Sequence, residues 1–119
     1  MPAPLAKDEN IADINDIIRR GLNPGPMVHT EFGPKYLRRI TLSDGVAELL
    51  NDSTDRYNKL LDLIRHTPHA QGPKREFGAV TFEGVKYCWW FEYWDSTHHF
   101  KMPNGHRELR ISLEDEIDE

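Results

Sequence analysis

Apolar and polar side chains alternate most clearly between Val85 and Trp94. In an extended strand Val85, Tyr87, Trp89, Phe91 and Tyr93 share one face and Lys86, Cys88, Trp90, Glu92 and Trp94 the other. Both sets hold large aromatics, so one face is expected to join a core and the other to be covered again or kept for a partner. Near the amino end the period changes. Ile11, Ile14, Ile17 and Ile18 recur at helical spacing over Asp8–Arg20, with acids early, Arg19 and Arg20 late and Gly21 beyond. That pattern predicts an amphipathic helix. Residues 22–35 lose any period among Asn-Pro-Gly-Pro and Phe-Gly-Pro clusters and read as a Pro/Gly-rich loop.

Arg38–Leu42 reads as a short strand, after which Ser43 can cap a short helix carrying Val46, Ala47, Leu49 and Leu50. The polar break Asn51–Thr54 supplies the cap of a further helix to about Arg65, with Tyr57, Leu60, Leu61 and Ile64 on one face. Beyond Pro73 the pattern is that of an antiparallel meander. Glu83-Gly84 is the turn between Arg75–Phe82 and Val85–Trp94, in a register that sets Gly78 opposite Trp89, Phe77 opposite Trp90 and Arg75 opposite Glu92. Asn104-Gly105 is expected to join a strand Thr97–Met102 to Arg107–Leu113, with Lys101 opposite Glu108 and Phe100 opposite Leu109. The predicted fold class is α+β: N-terminal helices packed on one face of a mainly antiparallel C-terminal β-meander, with strand order following sequence order. Ile14, Ile17, Leu60, Ile64, Leu109, Ile111 and Leu113 are the expected core.

The 119 residues suit one domain, 1–119, able to build a core without disulfides or a structural metal. A net charge of −5 and the acidic run Glu114–Glu119 argue against non-specific DNA affinity. The start of the chain lacks the basic and apolar regions of a secretory signal and no segment is apolar enough to span a membrane, so a cytoplasmic location without membrane attachment is expected. Cys88, the one cysteine, reads as a small strand residue and not as a nucleophile.

Several segments, taken in order, carry a resemblance. They are Ile11-x-x-Ile14-Asn15-Asp16-x-Ile18-Arg19, Thr41-Leu42-Ser43-Asp44-Gly45-Val46, Arg75-Glu76-Phe77-Gly78, Trp89-Trp90-Phe91-Glu92-Tyr93-Trp94-Asp95 and Arg107-Glu108-Leu109-Arg110-Ile111-Ser112-Leu113. Together they resemble the uncharacterised alphaproteobacterial domain-of-unknown-function family three-seven-six-eight over most of the chain. The chain departs from that pattern at Arg75, where the family has histidine, and at Trp90, where it has lysine. An Asn-Asp-Pro turn before the hairpin is missing, and the loop at 22–35 is expanded. The resemblance implies a fold but no established activity, and it implies a setting on plasmids or phages.

Three kinds of chemistry compete. Glu76, Glu92 and Asp95 could divide acid and base roles in a hydrolase-like enzyme, but the expected register sends Glu76 and Glu92 to opposite sheet faces. His29, His66, His69, His98, His99 and His106 could supply metal ligands, yet adjacent His98 and His99 point apart on a strand and Pro68 interrupts the helical pairing of His66 with His69. Aromatics on a sheet could also stack bases of a single strand, against which the acidic balance counts. The leading expectation is a small non-enzymatic protein-binding module, a mobile-element inhibitor of a host nuclease or defence complex being its most specific form. Its surface would be Phe77, Lys86, Trp90, Glu92 and Trp94, with no catalytic residue, metal or cofactor. The partner is a protein, and a second copy of the chain is an alternative cover for the same face.

Overall fold

A computed structural model of the chain describes residues 8–21, 27–30, 33–67, 70–95, 97–102 and 105–116, with the side chains of 8–10, 27–30, 33–36 and 38 left aside. Its elements are α1 (Asp8–Arg20), β1 (Met27–Thr30), β2 (Gly33–Leu42), α2 (Asp44–Leu50), α3 (Thr54–Arg65), β3 (Phe77–Phe82), β4 (Val85–Trp94) and β5 (His106–Leu113), then a 3-10 turn at Glu114–Glu116. The fold is α+β. One sheet runs in the order β1-β2-β5-β4-β3, antiparallel throughout except where β2 lies parallel to β5.

Local chemistry explains most of the boundaries. The Ser43 side chain accepts from Val46 N–H and that of Ser53 from Arg56 N–H, so each serine caps the helix that follows it. Asn51 ends α2 in the left-handed region, at φ 49°. Glu83 and Gly84 both have positive φ, 53° and 79°, which makes the β3–β4 connection a type I′ hairpin turn. The expected register holds from Phe77↔Trp90 through Gly78↔Trp89 to Phe82↔Val85.

The helix side of the sheet carries the core, in which Ile14, Ile18, Val46, Leu50, Leu60, Leu61 and Ile64 meet Tyr87, Trp89, Phe91, Leu109 and Ile111. Leu113 packs against this cluster partly buried. Ile17 does not belong to it, being 50% exposed. At about 100° per residue the buried stripe of α1 runs through Ile11, Ile14, Asn15, Ile18 and Arg19, and it leaves Ile17 on the far side. Two polar residues take the place that the expected pattern gave to that isoleucine. Arg19 Nη1 donates to the carbonyls of Ile64, Arg65 and Thr67 at 3.1, 3.2 and 2.7 Å, closing the carboxyl end of α3. Asn15 donates to the Lys74 carbonyl and to Tyr93 Oη and accepts from Arg107 Nε, which pins α1 to the turn before β3 and to both central strands.

Four further expectations are corrected. Residues 22–35 are not all loop, because β1 pairs with the start of β2 from Met27↔Tyr36 to Thr30↔Gly33; residues 22–26, 31 and 32 lie outside the described residues. Sequence order does not give strand order, because β2 enters beside β5. No strand forms at 97–102: Asp95 Oδ1 accepts from Thr97 Oγ1 and from the N–H groups of His99 and Phe100, and His98 turns left-handed at φ 63°. That winding removes the alternation, so Leu109 faces Phe91 and Ile40 instead of Phe100, and Glu108 faces Glu92 instead of Lys101. Finally, Arg75 sits at φ 47° in the turn before β3 and reaches α1, with Nη2 2.9 Å from Asp13 and Nε 2.8 Å from Asp16, so it does not face Glu92.

Candidate functional site

Alternation along β4 sends Lys86, Cys88, Trp90, Glu92 and Trp94 to the sheet face away from the helices, and pairing sets Phe77 beside Trp90 on β3. All five expected surface residues therefore share one face. Trp89, 1% exposed, lies on the opposite, core side, with its indole over Gly78. On the outer face Trp90 is half-buried and its indole N–H donates to Glu92 Oε2 at 3.2 Å, while Phe77 stands exposed at the β3 end. A cavity of about 350 Å³ lies between Gln71, Phe77, Ala79, Lys86, Cys88 and Trp90.

Next to the aromatics lies a charged cluster that the sequence reading missed. Glu92 and Glu108 are direct cross-strand partners, an arrangement that costs free energy unless cations intervene. Arg110 spans the two, 3.6 Å from Glu92 and 3.7 Å from Glu108. Lys101 adds a contact to Glu92 at 3.4 Å and Arg39 one to Glu108 at 3.6 Å. Glu108, whose side chain is 1% exposed, also accepts from Thr41 Oγ1 and lies 3.1 Å from His98 Nε2. Burial pushes the Glu92 carboxyl upward, but the Trp90 indole, Lys101 and Arg110 together outweigh it and hold it below its ordinary value. The signal for this cluster was the alternation Glu108-x-Arg110 on β5, which marks the polar face of that strand once the strand is placed between β4 and β2.

The loop 97–102 folds back onto this face. His98 stacks on Trp94 with ring centroids 4.3 Å apart, and Lys101 Nζ lies 5.1 Å from the same indole. Trp94 is thus partly roofed by its own chain. Lys86 pairs with Glu114 at 2.9 Å, at the edge of the face.

The proposed carboxylates are divided among different tasks. Glu76 accepts from Tyr93 Oη at 2.7 Å, Glu92 belongs to the outer cluster, and Asp95 holds the turn at 97–100. Tyr93 has its phenol raised well above the ordinary value by burial, reinforced by Glu76, and burial lowers Arg107 to about 10. The histidines are likewise spread: His66 Nδ1 lies 2.8 Å from the Asp62 carbonyl and His98 is on the outer face. His69 lies outside the described residues, as does the side chain of His29. Among the described residues no group of three or more His, Cys, Asp or Glu side chains is placed to hold a metal. Burial pushes the Cys88 thiol up, opposite to what a nucleophile requires. No described helix is long and apolar enough to cross a membrane.

No protein-family model, curated protein or solved structure matches this chain.

Proposed function

We propose that the protein is a non-enzymatic binding module that grips a protein partner with its outer sheet face, using Phe77, Lys86, Trp90, Glu92 and Trp94 together with Arg39, Lys101 and Arg110. The observation that carries this reading is the setting of Trp90, a half-buried indole tied to Glu92 and paired across the strands with Arg110, in a patch whose cations Arg39 and Lys101 reach further into solvent than the carboxylates beneath them. The side chains of Arg39 and Lys101 are 60% and 63% exposed, against 19% and 1% for Glu92 and Glu108. Tryptophan and arginine are the residue types that most often dominate the energy of protein interfaces. Each of these cations is already paired with a carboxylate of the same patch or its rim, which favours short-range contact with a shaped protein surface over the counterion-driven grip on a polyanion. Glu76, Glu92 and Asp95 serve separate structural roles, so the enzyme reading gains no support from their geometry. The inhibitor role on a mobile element rests on the family resemblance alone.

The test is affinity capture from host lysate with and without nuclease treatment, run in parallel with Trp90→Ala and with Glu48→Ala on the exposed face of α2. A partner retained by wild type and Glu48→Ala but lost by Trp90→Ala supports the reading. Undiminished capture by folded Trp90→Ala moves the binding site elsewhere, and loss of capture on nuclease treatment makes the ligand a nucleic acid.

A further inference from the structure

One edge of the sheet is β3, bridged by Gln71 at Phe77 and without an outer partner among the described residues from Gly78 onward, and its sequence lacks the usual guards. Phe77-Gly-Ala-Val-Thr-Phe82 contains no charge and no proline, and its register with β4 runs without a bulge. Which backbone groups look outward follows from the hairpin: Phe82 and Val85 flank a two-residue turn and bond each other, so Phe82, Val80 and Gly78 direct their N–H and C=O groups at β4. Phe77, Ala79 and Thr81 direct theirs outward. Two bonds confirm this phase, since the Phe77 carbonyl accepts from Gln71 N–H on the outer side and the Glu76 carbonyl accepts from Phe91 on the inner. The N–H and C=O groups of Ala79 and Thr81 have no partner among the described residues.

We infer that β3 pairs antiparallel with β3 of a second copy of this chain, about a two-fold axis through Val80. The edge is self-complementary in this register. Ala79 of each copy exchanges both backbone bonds with Thr81 of the other, which satisfies every group left open at those two positions. Phe82 of one copy falls opposite Gly78 of the other, so no β3 side chain of the second copy stands directly against that ring. The outer-face residues at the seam, Ala79 and Thr81, are small, so no bulky side chain stands between the strands on that face. Antiparallel pairing keeps like faces together. The two sheets therefore merge into one, and the two Trp90 patches lie on the same side of it.

Sedimentation across a range of protein concentrations tests the pairing. Wild type is expected at twice the chain mass when concentrated, and Thr81→Pro at the single-chain mass with its cooperative melt retained, because the Thr81 N–H points away from β4 and the substitution breaks no β3–β4 bond. Wild type that stays monomeric throughout, or folded Thr81→Pro that still doubles its mass, overturns the inference. Amide exchange on wild type gives a reading that does not depend on how the variant folds: the Ala79 and Thr81 amides exchange more slowly in concentrated than in dilute protein. Equal exchange at both concentrations overturns the β3 seam even where a dimer forms.

Discussion

Arg107 Nε donates to Asn15 Oδ1 at 2.8 Å, tying the second residue of β5 to the middle of α1 across most of the chain. Arg107 also donates to the Gly105 carbonyl at 2.6 Å and lies 4.9 Å from the Tyr93 ring. Asn15 and the Gly105 carbonyl thus both accept from a guanidinium held inside the protein. Asn15→Ala removes this acceptor together with the donor to Lys74 and Tyr93, and is expected to cost about 3 kcal/mol, in the range for breaking a buried polar network. Chemical denaturation measures it; a loss under about 1 kcal/mol would show that water replaces Asn15 at no cost.

Trp89 and Trp90 are neighbours with opposite duties. Trp89→Ala empties a core site and should cost about 3–5 kcal/mol. Trp90→Ala, on the half-exposed face, should cost about 1 kcal/mol or less and instead weaken partner capture. Thermal melts in the reverse order would place the core on the wrong side of the sheet.

Gly78 has no room for a side chain. A Cβ there would stand 2.8 Å from Trp89 Cζ2 and 3.1 Å from Nε1, and the ring it meets is fully buried. Gly78→Ala should therefore lose about 1–3 kcal/mol through overpacking. A stability equal to wild type would mean that the Trp89 ring can slide away, and a shifted tryptophan fluorescence spectrum would show where.

The Glu92 carboxyl sits below its ordinary value, because Trp90, Lys101 and Arg110 outweigh the effect of burial. A depressed folded-state pKa contributes stability that is present above the ordinary carboxylate value and is lost as pH falls through the folded one. Glu92→Gln should accordingly be less stable than wild type near neutral pH, and the gap should close as the solution is acidified. Denaturation midpoints for both proteins along an acid series check the sign; a gap that widens in acid refutes it.

Local pattern made much of this protein legible. The helical stripe from Ile11 to Ile18, the serine caps at 43 and 53, the Glu83-Gly84 hairpin with Gly78 under Trp89, and the assignment of Trp89 and Trp90 to opposite faces all follow from spacing and turn chemistry within short stretches. These features depend on neighbours in sequence, whose geometry the backbone itself dictates. The place of β2 beside β5 does not, since a parallel pair is chosen by packing between segments some seventy positions apart, Leu42 meeting Ile111 among them. Only the assembled sheet could then set Glu92 against Glu108 and bring Arg39, Thr41 and Arg110 to them. Nor could alternation alone show that Asp95 winds 97–100 into a turn, which replaces an expected strand and lays His98 and Lys101 on Trp94. Helical spacing did not set Asn15 and Arg19 apart from the other polar residues of α1. They are buried because distant carbonyls and a distant guanidinium needed partners, a demand that exists only after the chain has closed on itself.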